Sequence, residues 1–199
     1  MNYYKILNKD EKHHGMKYKT GLNVDIIAWN PSGSCTPGGL YFSREDILGF
    51  IDYGPWIRKV TLLKDSKIYK DPGRVYEKWK TNKFILGERK KINTKVIKKL
   101  IKEGAEIKRY KRQVLSFAVD NGFFGLVSFL VPICNKPLIR GVLDDAVENN
   151  QVRIVRFLIP LVSEKFCKEI VKHYDMNYNC THCSKSMLKL FEPFLKNKR

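Results

Sequence analysis

Phe117-Ala-Val-Asp-Asn-Gly122 followed by Leu126-Val-Ser-Phe-Leu-Val-Pro132 is written a second time, as Asp145-Ala-Val-Glu-Asn-Asn150 followed by Ile154-Val-Arg-Phe-Leu-Ile-Pro160. Ala118 maps onto Ala146 and Pro132 onto Pro160, so both ends of the phrase keep one offset. A shared register at a fixed period marks a stacked repeat, in which each unit buries its apolar face only against a neighbour. Such arrays present extended faces, so the period points to binding before it points to catalysis.

Partial copies flank the two clean ones. Upstream, Val96-Ile-Lys-Lys-Leu-Ile-Lys-Glu-Gly-Ala105 carries an apolar stripe at Val96, Ile97, Leu100 and Ile101, with lysines on the other face and Gly104 as a stop. Downstream, Leu188-Lys-Leu-Phe-Glu-Pro-Phe194 supplies a third proline, Pro193, at a somewhat longer step from Pro160. Each proline is expected to end a second helix, because it cannot continue the hydrogen-bond ladder. Leu100, Leu130 and Leu158 take equivalent places.

The phrase from Val96 to Ala105 resembles the second helix and exit of an ankyrin repeat, and the region from about 92 to 199 is similar to ankyrin repeats as a whole. Two departures matter. Ankyrin units are about 33 residues long and open on a T-P-L-H-x-A turn; here the period is shorter, and the matching words are Val114-Leu-Ser-Phe-Ala118 and Val142-Leu-Asp-Asp-Ala146, without Thr, Pro or His. Trimmed repeats of this kind are expected to lose most of the β-hairpin finger and to keep the helix pairs. The resemblance implies a protein partner.

Before residue 90 the texture is different. Tyr3-Tyr-Lys-Ile-Leu7, Gly39-Leu-Tyr-Phe42, the stretch from Trp56 to Leu63, Lys67 to Tyr69 and Phe84-Ile-Leu86 read as strands, separated by Gly, Pro, Asn and His turn material. Ser43-Arg-Glu-Asp46 reads as a capping box for a short helix over Ile47-Leu-Gly-Phe-Ile51, stopped by Tyr53-Gly-Pro55. The expected fold class is therefore α+β: a mixed α/β domain over 1–90, then an all-α stack of three to four degenerate units over 91–199. The order Gly39-Leu-Tyr-Phe42, short helix, Ile57-Arg-Lys-Val-Thr61, Lys64-Asp-Ser66 and Lys83-Phe-Ile-Leu86 resembles the leader domain before ankyrin arrays in proteins of amoeba-infecting giant viruses. Related leaders occur in some phage proteins.

Composition narrows the function classes. The chain has 199 residues, 43% of them apolar, enough to bury a core. No run of about 18 apolar residues and no signal-peptide h-region is present, which reads as an intracellular, soluble protein; the viral resemblance implies host cytoplasm or virion. Five cysteines without framework spacing fit reduced thiols. No P-loop, H-E-x-x-H, G-x-S-x-G or G-x-G-x-x-G occurs, and no catalytic residue is assigned.

Three sets of residues remain as candidates. The formal charge is +18, densest over Arg89, Lys90, Lys91, Lys95, Lys98, Lys99, Lys102, Lys108, Arg109, Lys111 and Arg112. That cluster is either a polyanion site, nucleic acid first, or a solvated lysine coat. Cys167, His173, Cys180 and Cys183 form a C-x5-H-x6-C-x2-C order that offers four ligands to a structural zinc; otherwise no cofactor is expected, and the alternative is a connecting segment with incidental thiols. Tyr4, His14 and Tyr41-Phe-Ser43 would line a nucleotide cleft if the leader were an ADP-ribosyltransferase-like enzyme, with Glu77 or Glu88 as its acid. His13-His14, Gly38-Gly39 and the three tryptophans have plainer readings as loop, turn and core.

Overall fold

Tyr3-Tyr-Lys-Ile-Leu7 forms β1, a strand buried along Tyr4, Lys5, Ile6 and Leu7, because the sheet it belongs to is covered on both faces. The computed structural model describes residues 2–176 and 183–195. The chain divides into two units, Met1–Tyr110 and Lys111–Arg199. In the first unit the strands are β1, β2 (Lys12–His13), β3 (Met16–Lys17), β4 (Gly21–Val24), β5 (Leu40–Ser43), β6 (Trp56–Thr61), β7 (Ile68–Lys70), β8 (Lys78–Thr81), β9 (Lys83–Leu86) and β10 (Lys90–Lys91). The main sheet runs β4-β9-β6-β1-β5-β8-β7 with β10 added on β6, and its strand pairs are antiparallel.

One face of this sheet buries Leu7, Tyr18, Leu40, Phe42, Val60, Phe84 and Leu86, with Trp79 packed alongside. Alternation sets this face: in β9, Phe84 and Leu86 point inward and Ile85 outward. A 3₁₀ helix over Glu45–Tyr53 buries Ile47, Leu48 and Ile51 and packs on β1. The expected capping box is absent. Ser43 is the last residue of β5, and its hydroxyl donates to the Glu77 carbonyl at 2.8 Å; strand pairing with Lys78 takes precedence over the local cap. His14 and Gly15, both at positive φ, close the β2–β3 hairpin as the residue pair of a tight turn must.

The helical series is α1 (Thr94–Lys102), α2 (Ile107–Asp120), α3 (Phe124–Leu130), α4 (Lys136–Glu148), α5 (Val152–Leu158), α6 (Glu164–His173) and α7 (Lys185–Phe191). The division after Tyr110 lies later than the change of texture near 90, because α1 and the start of α2 are tied to the sheet. Tyr4 Oη donates to Glu103 at 2.7 Å, and the Glu106 N–H donates to the Glu45 carbonyl at 2.8 Å. Pro132, Pro160 and Pro193 each sit in a 3₁₀ turn directly after α3, α5 and α7, as the ring's missing N–H requires.

The period is built by repeated end chemistry. The N–H of Ala105, Phe123, Gln151 and Met176 returns to the carbonyl of Leu100, Ala118, Ala146 and Val171 respectively, closing α1, α2, α4 and α6 with the same left-handed turn. The residue in that turn is Gly104, Gly122, Asn150 or Asp175, all at positive φ. Asn135 and Ser163, one period apart, cap α4 and α6 through the Leu138 and Phe166 N–H groups. Gly122→Ala is expected to cost about 1–2 kcal/mol, since a Cβ is disfavoured at that φ, whereas Asn150→Gly should be neutral or slightly stabilising. Urea unfolding of both variants checks this; an unchanged midpoint for Gly122→Ala contradicts it.

Within the second unit, α5 packs against α4 of its own pair and lies between α3 and α7. Val114, Leu115, Ala118 and Val119 are matched one period on by Val142, Leu143, Ala146 and Val147, all buried. The register breaks after α6. The start of α5 follows that of α3 by one period, but α7 begins later than one period after α5. The extra length falls in the connection that carries the Cys-x-x-Cys motif.

Candidate functional site

The ladder between β1 and β5 has a single register pair, Tyr4 opposite Ser43. Beyond it the strands part, and the Lys5 ammonium reaches across to the Tyr41 carbonyl at 2.7 Å, replacing the backbone donor that β1 no longer supplies. The parting opens a cleft of about 280 Å³ lined by Lys5, Tyr41, Phe50, Tyr53, His13 and Lys78, together with Tyr4, His14, Phe42 and Ser43. All five residues of the expected nucleotide cleft thus meet at one place.

The rim is set by buried polar anchors. Lys80 is fully buried; its ammonium donates to Thr36 Oγ1 at 2.8 Å and to the Ser32 carbonyl at 3.1 Å. Asp71 accepts from the Ser34 hydroxyl and the Cys35 N–H, both at 2.8 Å. Together they pin the loop that brings Cys35 to the cleft, where the Lys78 ammonium lies 2.9 Å from its Sγ. Gly38, at φ +83°, has no room for a Cβ against the Ala28 carbonyl, and a Cβ on Gly39 would run into the buried side chain of Lys80.

The electrostatics follow from burial. Lys5 is pushed down to about 7 by desolvation, opposed by the charge of Asp25. His13 is pushed down to about 4 by desolvation, then by Lys5 and His14. Desolvation, helped by Asp71, raises Tyr41 to about 12. Among the described residues no carboxylate lines the cleft: Glu77 pairs with Lys70 at 2.7 Å, and Glu88 is exposed.

The other candidates are distributed differently. Cys167 is buried in α6, its thiol pushed up by desolvation, while His173 is exposed on the same helix; with 3.6 residues to the turn, their separation puts them on different sides of it. Cys180 lies outside the described residues. Cys35, Cys134 and Cys167 are free thiols, but Cys183 is disulfide-bonded. That differs from the expectation of reduced thiols at this one position. Among the described residues no cluster of three metal-type ligands occurs.

Several members of the basic cluster are committed to neighbours. Arg89 stacks on Trp56 with its guanidinium 4.6 Å from the ring centroid. Lys99 pairs with Glu103, and Arg109 donates to the Val75 carbonyl at 2.6 Å. Lys111 donates to the Ile133 carbonyl, and Arg112 pairs with Asp145 at 2.9 Å. Lys90 and Lys91 are exposed in β10, and Lys95, Lys98, Lys102 and Lys108 are exposed as well. Trp79 stacks on Phe42 within the core.

The helical unit exposes a row of its own. Phe129 and Ile133 are 45% and 51% exposed, and their equivalents one period on are Phe157 and Leu161, the latter 43% exposed. The longer step that takes Pro160 to Pro193 leads from these two to Leu190 and Phe194, both half-buried. Apolar side chains therefore recur on the outward side of the second helices and of the proline turns that follow.

No family model matches the chain, and no solved structure matches it. Among curated proteins it is similar to several of Acanthamoeba polyphaga mimivirus. One named "Putative ankyrin repeat protein" is 36% identical over 123 residues, 58% of this chain and 40% of its own length. A second of that name is 32% identical over 136 residues, 65% of this chain and 66% of its own length. An "Uncharacterized protein" is 33% identical over 135 residues, 65% of this chain and 96% of its own length. The chain thus spans about two fifths and two thirds of the two ankyrin-named relatives. Among the described residues no helix is long and apolar enough to cross a membrane.

Proposed function

The chain belongs to the family of the mimivirus ankyrin repeat proteins, and on that premise we propose that it is a protein-interaction module whose helical repeats engage a host or viral protein. One observation supports the reading above others: exposed Phe129, Ile133 and Leu161, with half-buried Phe157 beside them, keep the register of the repeat. The buried row of a repeat is needed for stacking; an exposed apolar row is not, and monomeric proteins rarely keep such surface unless it is covered by something. The reading is of a trimmed ankyrin-like stack that binds through the ends of its second helices.

The test is affinity capture from infected and uninfected amoebal lysate, using the full chain and the double variant Ile133→Asp plus Leu161→Asp. Two central apolar contacts worth about 1.4 kcal/mol each would together weaken capture by the double variant roughly a hundredfold. Both side chains are exposed, so its melting temperature should stay near that of the parent. A partner captured equally by parent and variant sinks this face as the site.

A further inference from the structure

We propose that the cleft between β1 and β5 binds a small aromatic anion, a phosphate carried on a planar ring system of mononucleotide size. The lining is cationic and aromatic: Lys5 and Lys78 with two histidines, walls of Tyr41, Phe50 and Tyr53, and, among the described residues, no carboxylate. Aromatic walls accept a planar ring by stacking, and clustered ammonium groups in a dry site accept a phosphate.

Lys5 is the residue the fold alone explains least. A buried amine in an apolar strand costs free energy unless its charge is used. Of its three donors, one goes to the Tyr41 carbonyl, and the ammonium sits 4.7 Å from the centroid of the Tyr18 ring, which leaves a proton for the cleft. Its neighbours do not neutralise it. Arg58, opposite it on β6, is held by Glu11; Asp71 is shared with Lys78 at 3.7 Å; Asp25 acts on Lys5 through its charge only. Tyr41 and Tyr53 have raised values and stay neutral at physiological pH. Both Lys5 and His13 are held below their ordinary values, and an anion seated between them would reverse both shifts. At about 280 Å³ the cleft is near the lower limit of roughly 300 Å³ for small-molecule sites, which suits a mononucleotide better than a dinucleotide.

The sign of the pH dependence is fixed by Lys5. A phosphate favours the charged amine, whose free value is about 7, so affinity falls as pH rises above 7. The phosphate monoester, with its own second ionisation near about 6, remains a dianion over that range. The experiment is calorimetric titration of the full chain with AMP, adenosine and inorganic phosphate at pH 7 and pH 9, repeated on Lys5→Met and Lys78→Gln. AMP is expected to bind about tenfold or more tighter than either fragment, and to lose about tenfold between the two pH values. Lys5→Met, in which methionine fills the same space, should weaken AMP by about tenfold and remove the pH dependence. Lys78→Gln, at the rim, should weaken it without touching the core. AMP binding no tighter than adenosine or phosphate, or unchanged in both variants, overturns the proposal, because that is the behaviour of general attraction to a +18 surface.

Discussion

Arg58→Met is expected to destabilise the sheet unit by about 3–5 kcal/mol, the range for removing one member of a buried ion pair. Arg58 lies in β6 with its side chain 5% exposed and holds Glu11, 11% exposed, through Nε at 2.7 Å and Nη2 at 3.1 Å. Its remaining amine donates to Thr20 Oγ1 at 2.9 Å and to the Gly87 carbonyl at 2.8 Å. One side chain thus ties β6 to the segment before β2, the approach to β4 and the exit of β9. Methionine replaces the volume but strands the Glu11 carboxylate, for which Arg89 at 3.6 Å is a half-exposed substitute. The double variant Glu11→Gln plus Arg58→Met should recover a large part of the loss, because it removes the orphaned charge. Guanidinium unfolding of the three proteins decides; a single variant within about 1 kcal/mol of the parent would show that water already reaches the pair.

The second large effect is expected in the repeats. Leu143→Ala should cost about 2–5 kcal/mol, the transfer and cavity cost of a buried leucine. Leu143 is fully buried in α4, the first helix of the middle pair. Its equivalent one period earlier, Leu115, is equally buried, so Leu115→Ala should fall in the same range. The fault of opposite sign is available nearby on the same helix: Ala146 is fully buried, and Ala146→Leu should cost about 1–3 kcal/mol by overpacking. Similar midpoints for Leu143→Ala and the parent in urea melts would mean that the middle pair does not carry the stack.

The helical part of the chain is legible in sequence because its periodicity is local. Ala118 and Ala146, Gly122 and Asn150, and Pro132 and Pro160 each perform in the structure the local task that residue type performs anywhere: a small residue for close packing, a left-handed turn, a helix stop. The last unit reads as degenerate, and the connection after α6 gives the reason, since added length there displaces α7 without removing the proline turn that ends it. In the sheet unit, local signals compete with distant ones. Ser43 carries the sequence of a helix cap yet is engaged by the Glu77 carbonyl, far along the chain. The short strands β2, β3 and β10 carry no signal of their own, because Lys12-His13 or Lys90-Lys91 has no strand pattern until a partner supplies the hydrogen bonds.

The cleft divides along the same line. Tyr4, His14 and Tyr41-Phe-Ser43 are named as a group only on the supposition of an ADP-ribosyltransferase-like leader, since His14 reads as turn and the others as strand. Lys5 is not named with them, although a lysine inside Tyr3-Tyr-Lys-Ile-Leu7 is a signal in retrospect: a strand otherwise apolar on both faces must compensate for that amine. Cys35 and Lys78 are distant in sequence and meet where Lys80 and Asp71 pin the loop that carries Cys35.

By itself the sequence determined the repeat: its register, its helix stops, its buried rows and the family to which it points, since each of these depends on contacts within a turn or two of helix. Only the tertiary structure decided where β1 and β5 part, which cations face the gap, and which apolar row is left outward, because those depend on strand pairing and burial between residues tens of positions apart.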